Sequence, residues 1–241
     1  MKVIAIIPAA GLGTRMAARP GAMPATSKQF AELHGLPILL HTLRKIAAAP
    51  QVAEIYLALR ASEARGFQAR LDKEKLGKPL HIVEGGEHRQ ESVANALAAV
   101  QAAADDIVLV HDAVRPFVDQ EIIHNVIEAA RKYGAAIAAV PAVDTIKQVE
   151  RTAEGALVHA TIPREHVVLV QTPQGFRFEL LKQAFDEATG DGFTGTDEAS
   201  LLERAGHQVA VVMGSPRNIK ITTPADLQLA EFYMAQEKKE S

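Results

Sequence analysis

Val3-Ile4-Ala5-Ile6-Ile7-Pro8-Ala9-Ala10-Gly11-Leu12-Gly13-Thr14-Arg15 opens on a continuous apolar, β-branched run and passes through proline into a glycine turn. A run that is apolar at every position reads as a strand buried on both faces, as in a parallel sheet. The small residues after it let the backbone come close to a ligand, and successive N–H groups there can cradle phosphate oxygens. The spacing fits neither a Walker A loop nor the dinucleotide fingerprint, because Met16 stands where a third glycine belongs. A plain strand-to-helix turn would look the same. Arg15 and Lys28 sharpen the reading. Two cations beside a phosphate cradle can neutralise charge that builds during phosphoryl transfer, whereas a solvated surface pair would do no chemistry.

Outward from this stretch, residues 54–59, 80–83, 107–110, 135–140 and 208–213 read as further buried strands. Residues 37–48, 62–73, 89–103, 119–132, 179–187, 196–205 and 224–236 carry helical patterns. Asp119 is placed to cap the fourth helix, with Glu121 in its first turn. Alternating strand and helix predicts an α/β fold, a parallel sheet with helices on both faces. Ligands of such sheets bind outside the carboxyl ends of the strands. One stretch departs from the alternation. Residues 142–171 hold two β-like runs, 145–149 and 167–171, around a polar segment ending in Glu154-Gly155. This is a hairpin-like excursion, and an edge hairpin or a dimerisation arm both fit it. With no repeats and no low-complexity linker, residues 1–241 are expected to form a single domain.

Composition narrows the chemistry. The 241 residues are 48% hydrophobic but only 5% aromatic, without tryptophan, so the core must be aliphatic. A net charge of −3 advertises no nucleic acid or anionic membrane partner. The absence of cysteine excludes disulfides, thiolate metal sites and thiol nucleophiles. Nine histidines show no zinc-ligand spacing. The first apolar run is too short for a signal peptide or a membrane span, and a soluble cytoplasmic protein is expected.

Three more clusters follow predicted strands. Gly85, Gly86, Arg89 and Ser92 could read a base edge, although an ordinary helix start would use the same residues. His111-Asp112-Ala113-Val114-Arg115 puts a carboxylate where Mg²⁺ could be held, directly or through water; the plainer reading is a loop cap. Lys220 sits in an apolar setting, and a buried ammonium needs an anion that a phosphate could supply. Thr196 before Asp197 and Glu198 is a normal helix start.

Taken in order, Pro8-Ala-Ala-Gly-Leu-Gly-Thr-Arg15, Lys28-Gln29, Gly85-Gly86-x-x-Arg89-x-x-Ser92, His111-Asp-Ala-Val-Arg-Pro116, Asp144-Thr145-Ile146-Lys147, Gln171-Thr-Pro-Gln174, Thr196-Asp-Glu-Ala-Ser200 and Asn218-Ile-Lys220 resemble the 2-C-methyl-D-erythritol 4-phosphate cytidylyltransferases. The resemblance runs from about Val3 to Tyr233. It implies a Rossmann-like, doubly wound, mostly parallel sheet with a β-hairpin dimerisation arm at about 142–165. It also implies transfer of CMP from CTP to a polyol phosphate, with Mg²⁺ as cofactor, in a homodimer. Ala9, Ala10, Gly11, Gly13, Gly86, Arg89 and Ser92 would bind the nucleotide. Arg15 and Lys28 would stabilise charge at the α-phosphorus. Asp112 would lie near the metal and the substrate hydroxyls. Arg164 and Lys220 would hold the sugar phosphate, with Arg115 and Thr145 helping from the arm and the partner subunit. The chain departs from the family pattern at Ser27, where proline usually precedes the lysine, and in an apparent insertion, Arg19-Pro20-Gly21-Ala22-Met23-Pro24. Transfer to ribitol 5-phosphate, sugar-1-phosphate uridylyl or thymidylyl transfer, and a nucleotide-binding subunit without turnover stay open at this point.

Overall fold

The computed structural model describes residues 1–11 and 27–240. Its first strand, β1 (Val3–Pro8), is buried almost throughout and has the bounds expected from its sequence. A 3-10 turn, Lys28–Phe30, and two short strands, β2 (Glu32–Leu33) and β3 (Leu36–Pro37), lead into α1 (Ile38–Ala47). Then follow β4 (Val52–Leu59), α2 (Ala61–Leu71), β5 (Leu80–Glu84), α3 (Arg89–Ala99), β6 (Ile107–Val110), α4 (Gln120–Tyr133) and β7 (Ala135–Pro141). The chain continues through β8 (Ile146–Thr152), β9 (Gly155–Ile162), β10 (Val168–Arg177), α5 (Phe178–Gly190), α6 (Glu198–Arg204), β11 (Ala210–Met213) and α7 (Pro224–Glu240).

Seven strands form the main sheet in the order β11-β7-β10-β6-β1-β4-β5. All neighbours are parallel except β10, which runs antiparallel to both β6 and β7. The winding reverses beside β1, with β4 on one side and β6 on the other. The crevice at their carboxyl ends is therefore the topological switch point. Alternate residues of β1 serve the two faces. Val3, Ala5 and Ile7 pack with α1, α2 and α4, while Ile4 and Ile6 pack with α3, α5 and α6. Each fully buried aliphatic side chain contributes roughly 1.5–3 kcal/mol. A third apolar cluster joins Leu33, Ile38, Val114, Phe117 and Ile221 to Ala230 and Met234 of α7. It lies behind the loops that follow β6 and β11 and fixes their backbones.

Local signals act as read. The Asp119 side chain accepts from the Ile122 N–H at 2.7 Å, capping α4. That helix ends at Gly134, whose φ of 90° lets the chain turn at once into β7. The cap of α6 is Asp197 rather than Thr196, and its side chain accepts from the Ser200 N–H at 3.0 Å. The C-terminal helix runs on to Glu240, past the expected end at 236.

The excursion after β7 differs more from the pairing its sequence predicts. The separate antiparallel ribbon pairs β8 with β9, through the turn at Glu154-Gly155. Residues 167–171 are not its second strand. They open β10, which enters the middle of the main sheet. Between Val170 and Gln174 the ladder shifts register, because β10 spends two more residues than β7 there. This bulge turns Gln171 and Thr172 out of the regular pairing, at the end of the sheet where the switch point lies.

Candidate active site

Two clefts open at the carboxyl ends of the strands and share one wall. The first is lined by Pro8–Gly11, Lys28, Gln29, Arg89, Ser92, Asp112–Val114 and Lys220. The second is lined by Val170–Thr172, Gln174, Thr196, Asp197 and Arg115, and again by Arg89, Asp112 and Lys220. Of the expected nucleotide residues, Ala9, Ala10, Gly11, Arg89 and Ser92 thus meet at the first cleft. Gly13 and Arg15 lie outside the described residues. Lys28 stands in the first cleft, on the turn that brings the chain back to the sheet.

The glycine turn is held from outside. The Gln29 Nε2 donates to the Ala9 carbonyl and the Arg60 Nε to the Ala10 carbonyl, each at 2.6 Å. Beneath it, Gly85 packs so closely that an added Cβ would collide with the Ala10 Cβ. The buried Ser92 hydroxyl accepts from the Gly86 N–H at 3.1 Å and donates to the His88 carbonyl at 3.0 Å. The Glu91 carboxylate accepts from the Glu87 and His88 N–H groups, closing the start of α3.

The shared wall is an ion network around one carboxylate. Asp112 accepts from Arg89 Nε at 3.1 Å, Arg115 Nε at 3.3 Å and Lys220 Nζ at 2.9 Å. Burial alone would push this carboxyl up, but Arg89, Lys220 and Arg115 reverse that and hold it well below the usual carboxylate range. Arg89 also donates to both oxygens of Glu198 at 2.7 and 2.9 Å. Burial opposes the charge on Arg89, and Glu198 with Asp112 overcomes it, so the guanidinium is held firmly protonated. Burial lifts the Glu198 carboxyl above its ordinary value, with Arg89 opposing. Within this network two carboxylates, Asp112 and Glu198, face three cations, Arg89, Arg115 and Lys220. The anion that the apolar setting of Lys220 called for is supplied within the chain by Asp112.

Behind the wall stands a neutral layer. His111 and Asn218 are fully buried, and Thr172 nearly so. The Asn218 side-chain amide donates to the Thr172 carbonyl at 2.9 Å and to Gln171 Oε1 at 3.2 Å, while the Asn218 main-chain carbonyl accepts from Arg115 at 2.7 Å. Burial pushes the His111 imidazole down to about 4. Glu198, Gln171, Thr172 and Asn218 stood in the sequence only as members of the motifs that carry the family resemblance, with Glu198 read as part of a helix start, and none was singled out for the site.

Arg164 and Thr145 stand apart. Neither is among the described residues that line the two clefts. Arg164 is exposed, on a 3-10 turn between β9 and β10, and donates to the Val143 carbonyl at 2.9 Å. Arg115 does reach the second cleft, within its own chain. Among the described residues no group of three His, Asp or Glu side chains is placed to hold a metal ion. No helix among them is long and apolar enough to cross a membrane.

Comparison with known proteins shows the family. The family model described as IspD, 2-C-methyl-D-erythritol 4-phosphate cytidylyltransferase, matches residues 3–236. The protein of that name from Acidobacterium capsulatum is 58% identical over 236 residues, 98% of each chain. That from Solibacter usitatus is 51% identical, covering 100% of this chain and 99% of its own. The crystal structure of the Anaerococcus prevotii 4-diphosphocytidyl-2C-methyl-D-erythritol synthase superposes with a TM-score of 0.82 at 31% identity, covering 97% and 96% of the two chains. The Francisella tularensis cytidylyltransferase gives 0.79 at 36% identity, covering 96% and 99%. On both its sequence and its architecture, the chain belongs to the 2-C-methyl-D-erythritol 4-phosphate cytidylyltransferase family.

Proposed function

We propose that the protein transfers CMP from CTP to 2-C-methyl-D-erythritol 4-phosphate, releasing pyrophosphate, in the supply of isoprenoid precursors. The observation that carries this reading is the set of cations, Arg89, Arg115 and Lys220, gathered on Asp112 between two clefts at the switch point. CTP occupies the cleft of the glycine turn, and the methylerythritol phosphate occupies the other.

A phosphate oxygen of the acceptor attacks the α-phosphorus of CTP in line. The new P–O bond forms as the bond to the β-phosphate bridge breaks, and pyrophosphate leaves. A phosphate monoester has a second pKa of about 6, so the nucleophile is already ionised near neutral pH and no general base is needed. The chain's own task is to gather cations. Arg15 and Lys28 neutralise charge at the α-phosphorus, Lys220 and Arg115 face the acceptor, and the turn at Ala9–Gly11 receives the triphosphate. Mg²⁺, when bound, would supply further charge neutralisation on the triphosphate. Asp112 is the acidic group in the first cleft, but its oxygens are committed to three cations. The protein therefore suits an ion carried mainly by the phosphates and reached by Asp112 through water.

Arg164 and Thr145 reach the acceptor from a second subunit, in a homodimer joined through the β8–β9 ribbon. Exposed Val149, Leu157 and Val158 on that ribbon support this reading, since they lack cover in one chain. The absence of cysteine is in keeping with a cytoplasmic setting. A coupled pyrophosphate assay tests the function. Release is expected with CTP and methylerythritol phosphate under Mg²⁺. Faster release with ribitol 5-phosphate, or with UTP in place of CTP, would overturn the assignment.

A further inference from the structure

We infer that His111 is a positioning residue for the transfer, acting as a neutral hydrogen-bond relay that fixes Asp112 and Arg115 relative to the β10 bulge. The inference rests on the activity proposed above, but its geometry does not. His111 Nε2 lies 3.0 Å from the Arg115 carbonyl. A carbonyl only accepts, so Nε2 carries the hydrogen and Nδ1 is bare. The Thr172 Oγ1, 3.0 Å from Nδ1, must then donate to it. The hydroxyl is left with its lone pairs, and it receives the Asp112 N–H at 3.0 Å. Direction is thereby set at every link, from the Asp112 amide through Thr172 and the imidazole to the Arg115 carbonyl.

This relay grips both ends of one short turn. The Arg115 N–H already donates to the Asp112 carbonyl at 3.1 Å, and the Arg115 guanidinium faces the Asp112 carboxylate. Without the imidazole, nothing in the relay would link the Arg115 carbonyl to Thr172, and the turn could open away from the bulge. The cations of the second cleft would then lose their register with Thr172. His111 lines neither cleft, so it acts through these groups and touches no reactant. The buried imidazole also sets a sharp demand on its replacement. Asn can restore an acceptor at the Nδ1 position but not the donor at Nε2, and Gln the reverse.

The test has two parts. In the wild-type protein, long-range ¹H–¹⁵N correlation of the imidazole near pH 7 should show Nε2 protonated and Nδ1 bare. The opposite tautomer, or an imidazolium, would overturn the relay whatever the activity. In steady-state assays with CTP and methylerythritol phosphate, His111→Asn, His111→Gln and Thr172→Val are compared below their unfolding temperatures. Each single change should lower kcat/KM for the acceptor by about 100-fold, the scale of a misplaced catalytic group. The CTP Kd should change less, and His111→Asn with Thr172→Val should lose no more than the larger single loss. Additive losses, or equal losses for CTP binding and acceptor use, would show a merely structural histidine. A wild-type protein that releases no pyrophosphate would overturn the activity alone, since the imidazole spectrum still decides the relay.

Discussion

Asp112 holds three cations in place while its own surroundings are nearly dry, and this makes its charge costly to remove. Asp112→Asn keeps the shape but leaves Arg89, Arg115 and Lys220 facing one another with one counter-ion fewer. Breaking a buried pair typically costs 3–5 kcal/mol, and the partial exposure of Arg89 and Lys220 puts this case near ~3 kcal/mol. Calorimetry should show a lowered Tm that added pyrophosphate partly restores, because an anion can take the vacated role. A Tm unchanged by the substitution would refute the charge argument. Acid stability depends on neighbouring His111. Its imidazole titrates at about 4 in the fold against an ordinary 6.5, so the unfolded chain takes up its proton first. Stability from this group is complete above about pH 6.5 and is lost as pH falls toward 4. That gap is worth about 3 kcal/mol. Asp112, held low, adds its own loss only below the ordinary carboxylate range. Glu198, held high, works in the opposite sense. Unfolding against pH should therefore be shallower between pH 6.5 and 4 in His111→Gln than in the wild type. At this scale the sequence was partly legible. Lys220 and Asp112 were visible as charges at strand ends, but nothing local said that they pair. The Arg89–Glu198 contact joins residues 109 apart in the chain, and only the fold brings them together.

Among the elements, the turn after β5 and the ribbon each make a testable demand. Gly85 lies where a methyl group would strike Ala10, so Gly85→Ala must push the glycine turn out of position. CTP affinity, followed by calorimetric titration, should fall while helix content by circular dichroism stays the same. Unchanged affinity would mean that the turn yields without cost. The ribbon's Leu157 is 65% exposed, so Leu157→Asp should shift the stability of one chain by no more than about 0.5 kcal/mol. In sedimentation it should yield monomers that use the methylerythritol phosphate poorly yet still bind CTP. A Leu157→Asp dimer with full activity would remove the ribbon from the interface. Strands such as β1 and β6 were legible because every residue is apolar and turns bound them. The later course of β10 was not. Pro173 and Gly175 are poor ladder residues, and glutamines at 171 and 174 read as loop. A central antiparallel strand in a parallel sheet leaves no periodicity of its own, so 167–171 was paired with the wrong partner.

At the scale of the whole molecule, alternating strand and helix was enough to place the turns that line the two clefts at one end of a twisted sheet. The reversal beside β1 then brings β1, β5, β6 and β10 to a common mouth, although their residues are far apart in the chain. The β8–β9 ribbon leaves and re-enters at that same mouth. Its two roots are neighbours, with Val168 paired to Pro141 and the Ala142 N–H donating to the Val167 carbonyl at 3.2 Å. The excursion is thus a closed stem that could be excised. Replacing residues 143–166 with Asn-Gly, which suits a two-residue hairpin, should spare the seven-stranded core. Such a trimmed protein should still take up CTP, as read by fluorescence of a labelled nucleotide, but make no product. The family's scaffold would then divide into a core that receives the nucleotide and one side of the acceptor, and a detachable ribbon that completes the acceptor's other side, so acceptor choice could be tuned by exchanging the ribbon.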